Sequence, residues 1–332
     1  MSASPEVVRG PELAADIGGT HARIAHVDWE GGAAVLSGFR KYRCAEFSGL
    51  SDILELYCNE TGCDAPVRFS AAVAGAVSEG KVLATNVPWD YGFDQLPDRF
   101  PGIEVFPLND YHAVAIGTQH LSPNEVLQLT EGDPQTDGLA IAMGVGTGLG
   151  AAIRSGFGPS LQVFPTELGQ TRLGAHRGLE FEVLGLLAES NGFVRVERIL
   201  SGPGIAATYS AVRRVLGLED NELAPSEVVS QAVDGEESAY AAVQLVVSVL
   251  ANLLGNLAVM LSPRGGIYIS GGVTPRIESF LRSPAFYAGL NANEPMAGRI
   301  SDVPIMMVRR DDIGILGAAH WMRLRTTGAI TE

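Results

Sequence analysis

Asp16-Ile17-Gly18-Gly19-Thr20, preceded by the apolar run Leu13-Ala14-Ala15, decides the fold. The run reads as a buried strand. A second strand over 23–28 follows so closely that the glycines read as a hairpin turn. Gly18, Gly19 and Thr20 expose backbone N–H groups and a hydroxyl, which suits an anion held in a backbone nest. Asp16 at the strand end sharpens that reading. A carboxylate beside phosphates repels them unless a cation lies between, which points to Mg2+ held through oxygen ligands or water. A dinucleotide fold would put its acidic residue about 20 positions further on, against a ribose. An ordinary hairpin turn, with Asp favoured by turn chemistry, is the alternative.

Working outward, the same pattern occurs twice. Segment 139–143 reads as a strand, Gly144-Val145-Gly146-Thr147-Gly148 as a turn and 149–153 as the returning strand. Gly146, Gly148 and Ala151 also fit G-x-G-x-x-A, but that fingerprint needs a helix after the glycines. A phosphate-gripping hairpin fits better; a sharp core hairpin without a ligand is the alternative. Between the two turns lie a third strand (35–39) and a helix over 50–57 with Leu50, Ile53, Leu54 and Tyr57 on one face. Buried strands over 67–74 and 105–108 and a helix over 111–117 follow. Beyond the second turn, helices are expected over 180–188, 205–215, 226–233 and 238–260. A strand over 266–270 ends in Gly271-Gly272, and a strand over 305–308 precedes a terminal helix over 314–325. This repetition predicts two α/β domains, each with one glycine hairpin, placing the two turns across a common cleft.

At 332 residues, and roughly 150 per domain, the chain has room for two domains. It is 46% apolar and 18% charged, so it can bury large cores. Its net charge of −15 argues against a nucleic-acid binder, which needs clustered cations. Cys44, Cys58 and Cys63 form neither a disulfide framework nor a metal-ligand spacing. No apolar segment of signal-peptide type opens the chain. Segment 241–261 carries no charge and is long enough to span a bilayer. Gln244, Ser248, Asn252 and Asn256, however, recur every four residues as one polar stripe, which is the pattern of a core helix. A cytoplasmic protein without a membrane span is expected. No G-x-x-x-x-G-K-[ST] loop and no G-x-S-x-G elbow occurs.

Asn109-Asp110 follows the strand over 105–108. Both residue types favour helix N-caps. In the functional reading, Asp110 is a general base at the mouth of a parallel sheet, where ligands of open α/β folds collect. Glu167 and Glu197, taken singly, read as solvated carboxylates, and Thr85-Asn86 before Pro88-Trp89 as a turn. The six histidines show no metal spacing.

Together these segments resemble the bacterial glucokinases of the hexokinase–actin superfamily. The match is carried in order by residues 16–23, by Leu108-Asn109-Asp110, by the 144–150 turn, by Glu197-Arg198-Ile199-Leu200-Ser201-Gly202-Pro203-Gly204 and by Ser270-Gly271-Gly272-Val273-Thr274-Pro275-Arg276. Gly314-Ile315-Leu316-Gly317-Ala318-Ala319 closes the chain as in that family. The resemblance implies two actin-like, ribonuclease H-like domains with the active site in a cleft between them: 1–119 plus 313–332, and 120–312. It implies ATP and Mg2+ as partners of the chemistry. Asp16, Gly18, Gly19, Thr20, Gly144, Gly146, Thr147, Gly148, Gly271 and Gly272 would lie on the nucleotide, with Asp16 on the Mg2+ side. Asp110 would be the base toward the 6-hydroxyl of glucose. Asn86, Asn109, Glu167, Gln170 and Glu197 would bond sugar hydroxyls, and relatives suggest a homodimer. One departure stands out. The family reads Glu-Gly-Gly-His where this chain has Glu167-Leu168-Gly169-Gln170, so Gln170 replaces a sugar-binding His and cannot carry its charge. A kinase for another hexose or amino sugar, and a non-catalytic sugar sensor on the same fold, are the competing readings.

Overall fold

The computed structural model describes residues 10–78, 81–84, 89, 91–174, 178–190, 192–292 and 294–328. In chain order the strands are β1 (Glu12–Ile17), β2 (His21–Glu30), β3 (Ala33–Arg43), β4 (Arg68–Val73), β5 (Gly75–Ser78), β6 (Lys81–Ala84) and β7 (Glu104–Asn109). They continue with β8 (Val126–Gln128), β9 (Ala140–Val145), β10 (Leu149–Ser155), β11 (Gln162–Thr166), β12 (Gly266–Ser270) and β13 (Ile305–Val308). The helices are α1 (Leu50–Thr61), α2 (Leu96–Arg99), α3 (Asp110–Gly117), α4 (Leu179–Leu187) and α5 (Gly202–Val215). After them come α6 (Pro225–Val233), α7 (Glu237–Leu261), α8 (Pro284–Leu290), α9 (Ala297–Ser301) and α10 (Ile313–Thr326). The fold is mixed α/β with two large sheets. Two compact units divide it: Met1–Ser122, Arg154–Pro165 and Asp312–Glu332 form one, Pro123–Ile153 and Thr166–Asp311 the other. Segment Arg154–Pro165, which the sequence groups with 120–312, clusters with the first unit.

The first unit is built on a sheet ordered β3-β2-β1-β4-β7. The β1–β2 and β2–β3 pairs are antiparallel, and β1–β4 and β4–β7 are parallel. Alternation along β1 sorts its side chains between two cores. Leu13, Ala15 and Ile17 pack with Leu50, Ile53, Leu54 and Tyr57 of α1, whereas Ala14 packs with Ala113 and Ile116 of α3 and Ile315 and Ala318 of α10. A bulge between Ile24 and His26 shifts the register of β2 against β3. Ala22 and Ile24 lie on the α1 side of the sheet; Ala25 and Val27 lie on the α10 side. Strand β3 runs four residues beyond the expected 35–39 at its far end, through the basic run Arg40-Lys41-Tyr42-Arg43, because register with β2 continues to His21↔Arg43.

On the other face, α10 crosses α3 at close range, with glycines set against backbone. A Cβ at Gly317 would run into the carbonyl of Ala113, and one at Gly117 would lie 2.7 Å from the carbonyl oxygen of Ile313. Beside this crossing His112 packs against Trp321, and the rings of His120 and His320 stack 3.3 Å apart. Burial holds His112 and His120 down at about 4, with Arg154 adding to the effect on His120.

The second unit is built on strands β10, β9, β12, β13 and β8 of the six-stranded sheet, with β9, β12 and β13 parallel and β8 antiparallel to β13. Its core gathers around α7, where Val243, Val246, Val247, Leu250 and Leu254 are buried. Gln244, Ser248 and Asn252 lie half-buried along one side and Asn256 is exposed, as the four-residue spacing predicts. The apolar helix is therefore a core helix of this unit, most of it buried. The β5–β6 hairpin, β8, β11, α8 and α9 were not foreseen by periodicity, being too short to show one.

Two outcomes follow from this packing. Gly317→Ala forces a methyl into the Ala113 carbonyl and is expected to lower unfolding stability by about 1–3 kcal/mol or more, read from the urea midpoint. An imidazole with a folded pKa below its unfolded value near 6.5 resists protonation only in the fold. Stability from His112 and His120 is thus complete above about pH 6.5 and is lost towards pH 4. The urea midpoint is expected to fall between pH 7.5 and pH 5, by on the order of 1 kcal/mol per histidine, and His120→Gln should flatten that slope.

Candidate functional site

In the first unit, Asp16 lies on the α3–α10 side of β1. It forms an ion pair with Arg23, directly across the β1–β2 register. Its side chain is 21% exposed. Gly314, in the first turn of α10, leaves it room: a Cβ there would come within 3.3 Å of Asp16 Cγ and Oδ2. Helix N-termini carry partial positive charge, so this end of α10 favours the carboxylate.

Asp110 opens α3, and Asn109 caps it. Asn109 Oδ1 accepts from the backbone N–H groups of Tyr111 and His112 at 3.0 and 3.1 Å. Its Nδ2 donates to the Gly75 carbonyl at 3.0 Å and to Asp110 Oδ1 at 2.9 Å. Tyr111 N–H also donates to Asp110 Oδ1, at 2.8 Å. One carboxylate oxygen of Asp110 is thus fixed, while Oδ2 has no side-chain donor among the described residues. Burial raises the Asp110 carboxyl to about 6, and the charge of Asp16 pushes the same way. The hydrogen bonds from Tyr111 and Asn109 oppose the shift without cancelling it.

The Gly18–Thr20 turn is buttressed from behind. Gly18 N–H donates to the His21 carbonyl at 3.0 Å, Cys44 N–H to the Thr20 carbonyl at 2.9 Å and the Tyr91 hydroxyl to the Ile17 carbonyl at 3.4 Å. Thr20 is exposed. Asn86, expected on the sugar, lies outside the described residues.

In the second unit, β9 extends through Val145, so the turn proper is Gly146-Thr147-Gly148, and Gly144 lies in the strand. The turn is clamped by its neighbours. Gly202 N–H, at the start of α5, donates to the Gly146 carbonyl at 2.7 Å, and Val273 N–H to the Val145 carbonyl at 3.1 Å. Gly271 has φ +96°, and a Cβ there would collide with the Val145 backbone. Glycine is the residue that tolerates both. Gly146 and Gly272 differ: neither has a left-handed φ, and nothing lies within 4 Å of a Cβ built on either. Gly18 is similar, its nearest neighbour being the His21 carbonyl oxygen at 3.9 Å. Neither backbone conformation nor internal packing calls for glycine at these three positions.

Glu197 lies half-buried on the turn Val196–Arg198 that leads into α5. Its Oε2 accepts from Leu149 N–H at 3.4 Å, its Oε1 from Gln170 Nε2 at 2.9 Å. Ser201, the N-cap of α5, accepts from Gly204 N–H at 3.0 Å and donates to the Glu197 carbonyl at 2.8 Å. Gly169 is packed against the Leu149 carbonyl and Glu197, which explains a glycine before Gln170; Leu168 packs into the core, and Glu167 is exposed. Arg195 was not singled out from the sequence. Its Nη1 donates to Gln170 Oε1 at 2.6 Å and lies 3.6 Å from Glu197 Oε1. No local signal marks it; its role appears only when segment 171–173 is brought alongside 194–196.

The family profile for glucokinase matches residues 13–325. The chain belongs to the glucokinase family. A glucokinase from a Caulobacter species is 33% identical over 321 residues, covering 93% of this chain and 94% of that protein. One from Saccharophagus degradans is 29% identical, covering 94% of this chain and 98% of that protein. The crystal structure of glucokinase from an Antarctic psychrotroph superposes with a TM-score of 0.84 at 29% identity, covering 95% of this chain and 99% of the other. The fold is that of the actin-like sugar kinases. Within the glucokinase family framework, the two glycines after β12 make opposite demands. Gly271→Ala is expected to cost at least about 1–2 kcal/mol from the left-handed backbone alone. Gly272→Ala should leave the melting temperature unchanged or slightly raised. Thermal unfolding of the two variants distinguishes them.

Proposed function

We propose that the protein is an ATP-dependent glucokinase that transfers the γ-phosphoryl group of ATP to the 6-hydroxyl of glucose, with Asp110 as general base. The observation that carries this reading is the state of Asp110. A carboxylate held by one oxygen, with the other lacking a side-chain donor and a pKa of about 6, suits a base that accepts a hydroxyl proton near neutral pH. Asp110 Oδ2 would take the proton of the 6-hydroxyl as its oxygen bonds the γ-phosphorus. The bond from that phosphorus to the β–γ bridging oxygen breaks, and ADP leaves with the electron pair. Asn109 supports the step by fixing Asp110 Oδ1, since both its amide hydrogens are engaged within the protein. Glu167, Gln170 and Glu197 are the groups for sugar hydroxyls. The open glycines of the 18–20 and 146–148 turns and Gly272 would let phosphates approach the backbone.

The residues fit Mg2+. Among the described residues no cluster of three acidic, His or Cys side chains exists, and Asp16 is a single half-buried carboxylate. Mg2+ is commonly held in this way, by one or two carboxylates plus substrate phosphates and water. When bound, it neutralises charge on the β- and γ-phosphates. Gln170, already engaged with Glu197 and Arg195, favours a different hexose or an amino sugar as the second reading of the substrate.

The test is ADP release from Mg-ATP with and without glucose, beside mannose, fructose and N-acetylglucosamine. Glucose-dependent turnover is expected, with Asp110→Asn reducing kcat by about 10²–10⁴. Because Asp110 is protonated below its pKa of about 6, kcat/KM should decline as pH falls through that value. Turnover with another sugar alone would move the substrate. Unimpaired Asp110→Asn would remove the base.

A further inference from the structure

Four side chains of the second unit form one connected group: Gln170, Glu189, Arg195 and Glu197. The backbone brings them together. Val196 N–H donates to the Thr171 carbonyl and Leu173 N–H to the Val194 carbonyl, both at 2.9 Å, so segment 171–173 pairs with 194–196 as a short antiparallel ladder. Arg195 Nε donates to Glu189 Oε1 at 2.7 Å, which anchors the guanidinium from behind. Nη1 then donates to Gln170 Oε1 at 2.6 Å and lies 3.6 Å from Glu197 Oε1.

We propose that Arg195 is a positioning residue for sugar binding, which sets the orientation of the Gln170 amide and through it that of Glu197. The inference rests on the sugar-kinase reading and deepens it. The physical basis is the chemistry of the three groups. An amide presents an acceptor on one side and donors on the other, and can be turned either way by its surroundings. Guanidinium only donates. With Arg195 on one side, the Gln170 oxygen must face it, so Nε2 faces Glu197 Oε1, the contact seen at 2.9 Å. A carboxylate only accepts, so the arrangement is satisfied in one orientation and not in the other. Arg195 also supplies, one residue removed, the positive charge that Gln170 cannot carry in place of the family's His. Glu197 is left with Oε2, which accepts only a long bond from Leu149 N–H at 3.4 Å, to take a sugar hydroxyl. The remaining N–H of Gln170 is left to donate to a sugar oxygen. Arg195 itself is held in the fork of Glu189 and Gln170, and acts through them.

A residue with that role changes sugar affinity and leaves the phosphoryl-transfer step alone. The experiment compares wild type, Arg195→Ala, Arg195→Lys, Gln170→Ala and the Arg195→Ala/Gln170→Ala pair. Glucose KM and kcat are measured with Mg-ATP, and glucose Kd by calorimetry without nucleotide. Arg195→Ala is expected to raise KM and Kd about tenfold, the scale of one charge-assisted hydrogen bond, with kcat within about twofold. Arg195→Lys should recover part of the loss, because a single ammonium keeps the charge but not the fork. The double variant should bind no more weakly than Gln170→Ala, since both changes break one chain of contacts. Should Arg195→Ala fail to fold, Arg195→Lys and Glu189→Gln, which loosens the anchor and keeps the guanidinium, carry the same comparison. Unchanged Kd in the Arg195 variants, fully additive losses, or a loss confined to kcat would overturn the inference while leaving the kinase reading intact. A wild-type protein that neither binds nor phosphorylates a sugar would overturn both.

Discussion

The close crossing of α10 over α3 sets the surroundings of Asp16. Gly317 against the Ala113 carbonyl and Gly117 against Ile313 let the two helices approach backbone to backbone. The contacts pair the start of α10 with the end of α3, so the two helices run antiparallel where they meet. The end of α10 lies under Asp16 through Gly314, and Asp110 is the first residue of α3. Each carboxylate therefore meets the favourable end of a helix dipole. Asp16 has Arg23 as a counter-ion. Asp110 has neutral donors in Asn109 and the Tyr111 N–H, and desolvation outweighs them and raises its pKa. A side chain at Gly317 would push α10 off α3 and carry Gly314 away from Asp16. The packing of the two helices and the surroundings of Asp16 are therefore one constraint.

The second unit solves a related problem without helix ends under its carboxylates. Its Gly146–Gly148 turn is fixed from outside, by the first N–H of α5 and by the Val145–Val273 contact that the shape of Gly271 allows. Glu197 joins this clamp to the polar group around Gln170. Its backbone carbonyl accepts from the Ser201 cap, and its side chain reaches Leu149 and Gln170. Displacing α5 would therefore disturb both the turn and the carboxylate.

Much of this was legible in the sequence because the elements carry their own periods. The apolar run Leu13-Ala14-Ala15 gave β1, the Leu50-Ile53-Leu54-Tyr57 spacing gave α1, and the polar stripe of α7 distinguished a core helix from a membrane span. The 16–20 hairpin was readable because its turn residues have few alternatives. Long-range consequences were not readable. Strand β3 outruns its apolar core because pairing with β2, not its own composition, sustains it. Nothing local in Gly317 says that it meets Ala113, some two hundred residues away in sequence. Arg195 acquires its meaning from Gln170, which the 171–173 and 194–196 ladder brings alongside.

The glycines fall into two groups by what the fold demands of them. Gly169, Gly271 and Gly317 are packed so closely against backbone that the fold itself forbids a side chain. Gly18, Gly146 and Gly272 have ordinary backbone angles and open space where a Cβ would stand. Alanine at such positions is expected to stabilise by about 0.4–1 kcal/mol, by restricting the unfolded chain. Three unneeded glycines, in or beside turns that are otherwise well held, are thus a standing loss of stability that packing does not explain. The first group is set by what lies inside the chain. The second is free of that demand, and Gly18 and Gly146 lie in hairpin turns whose neighbouring carbonyls are tied down behind them.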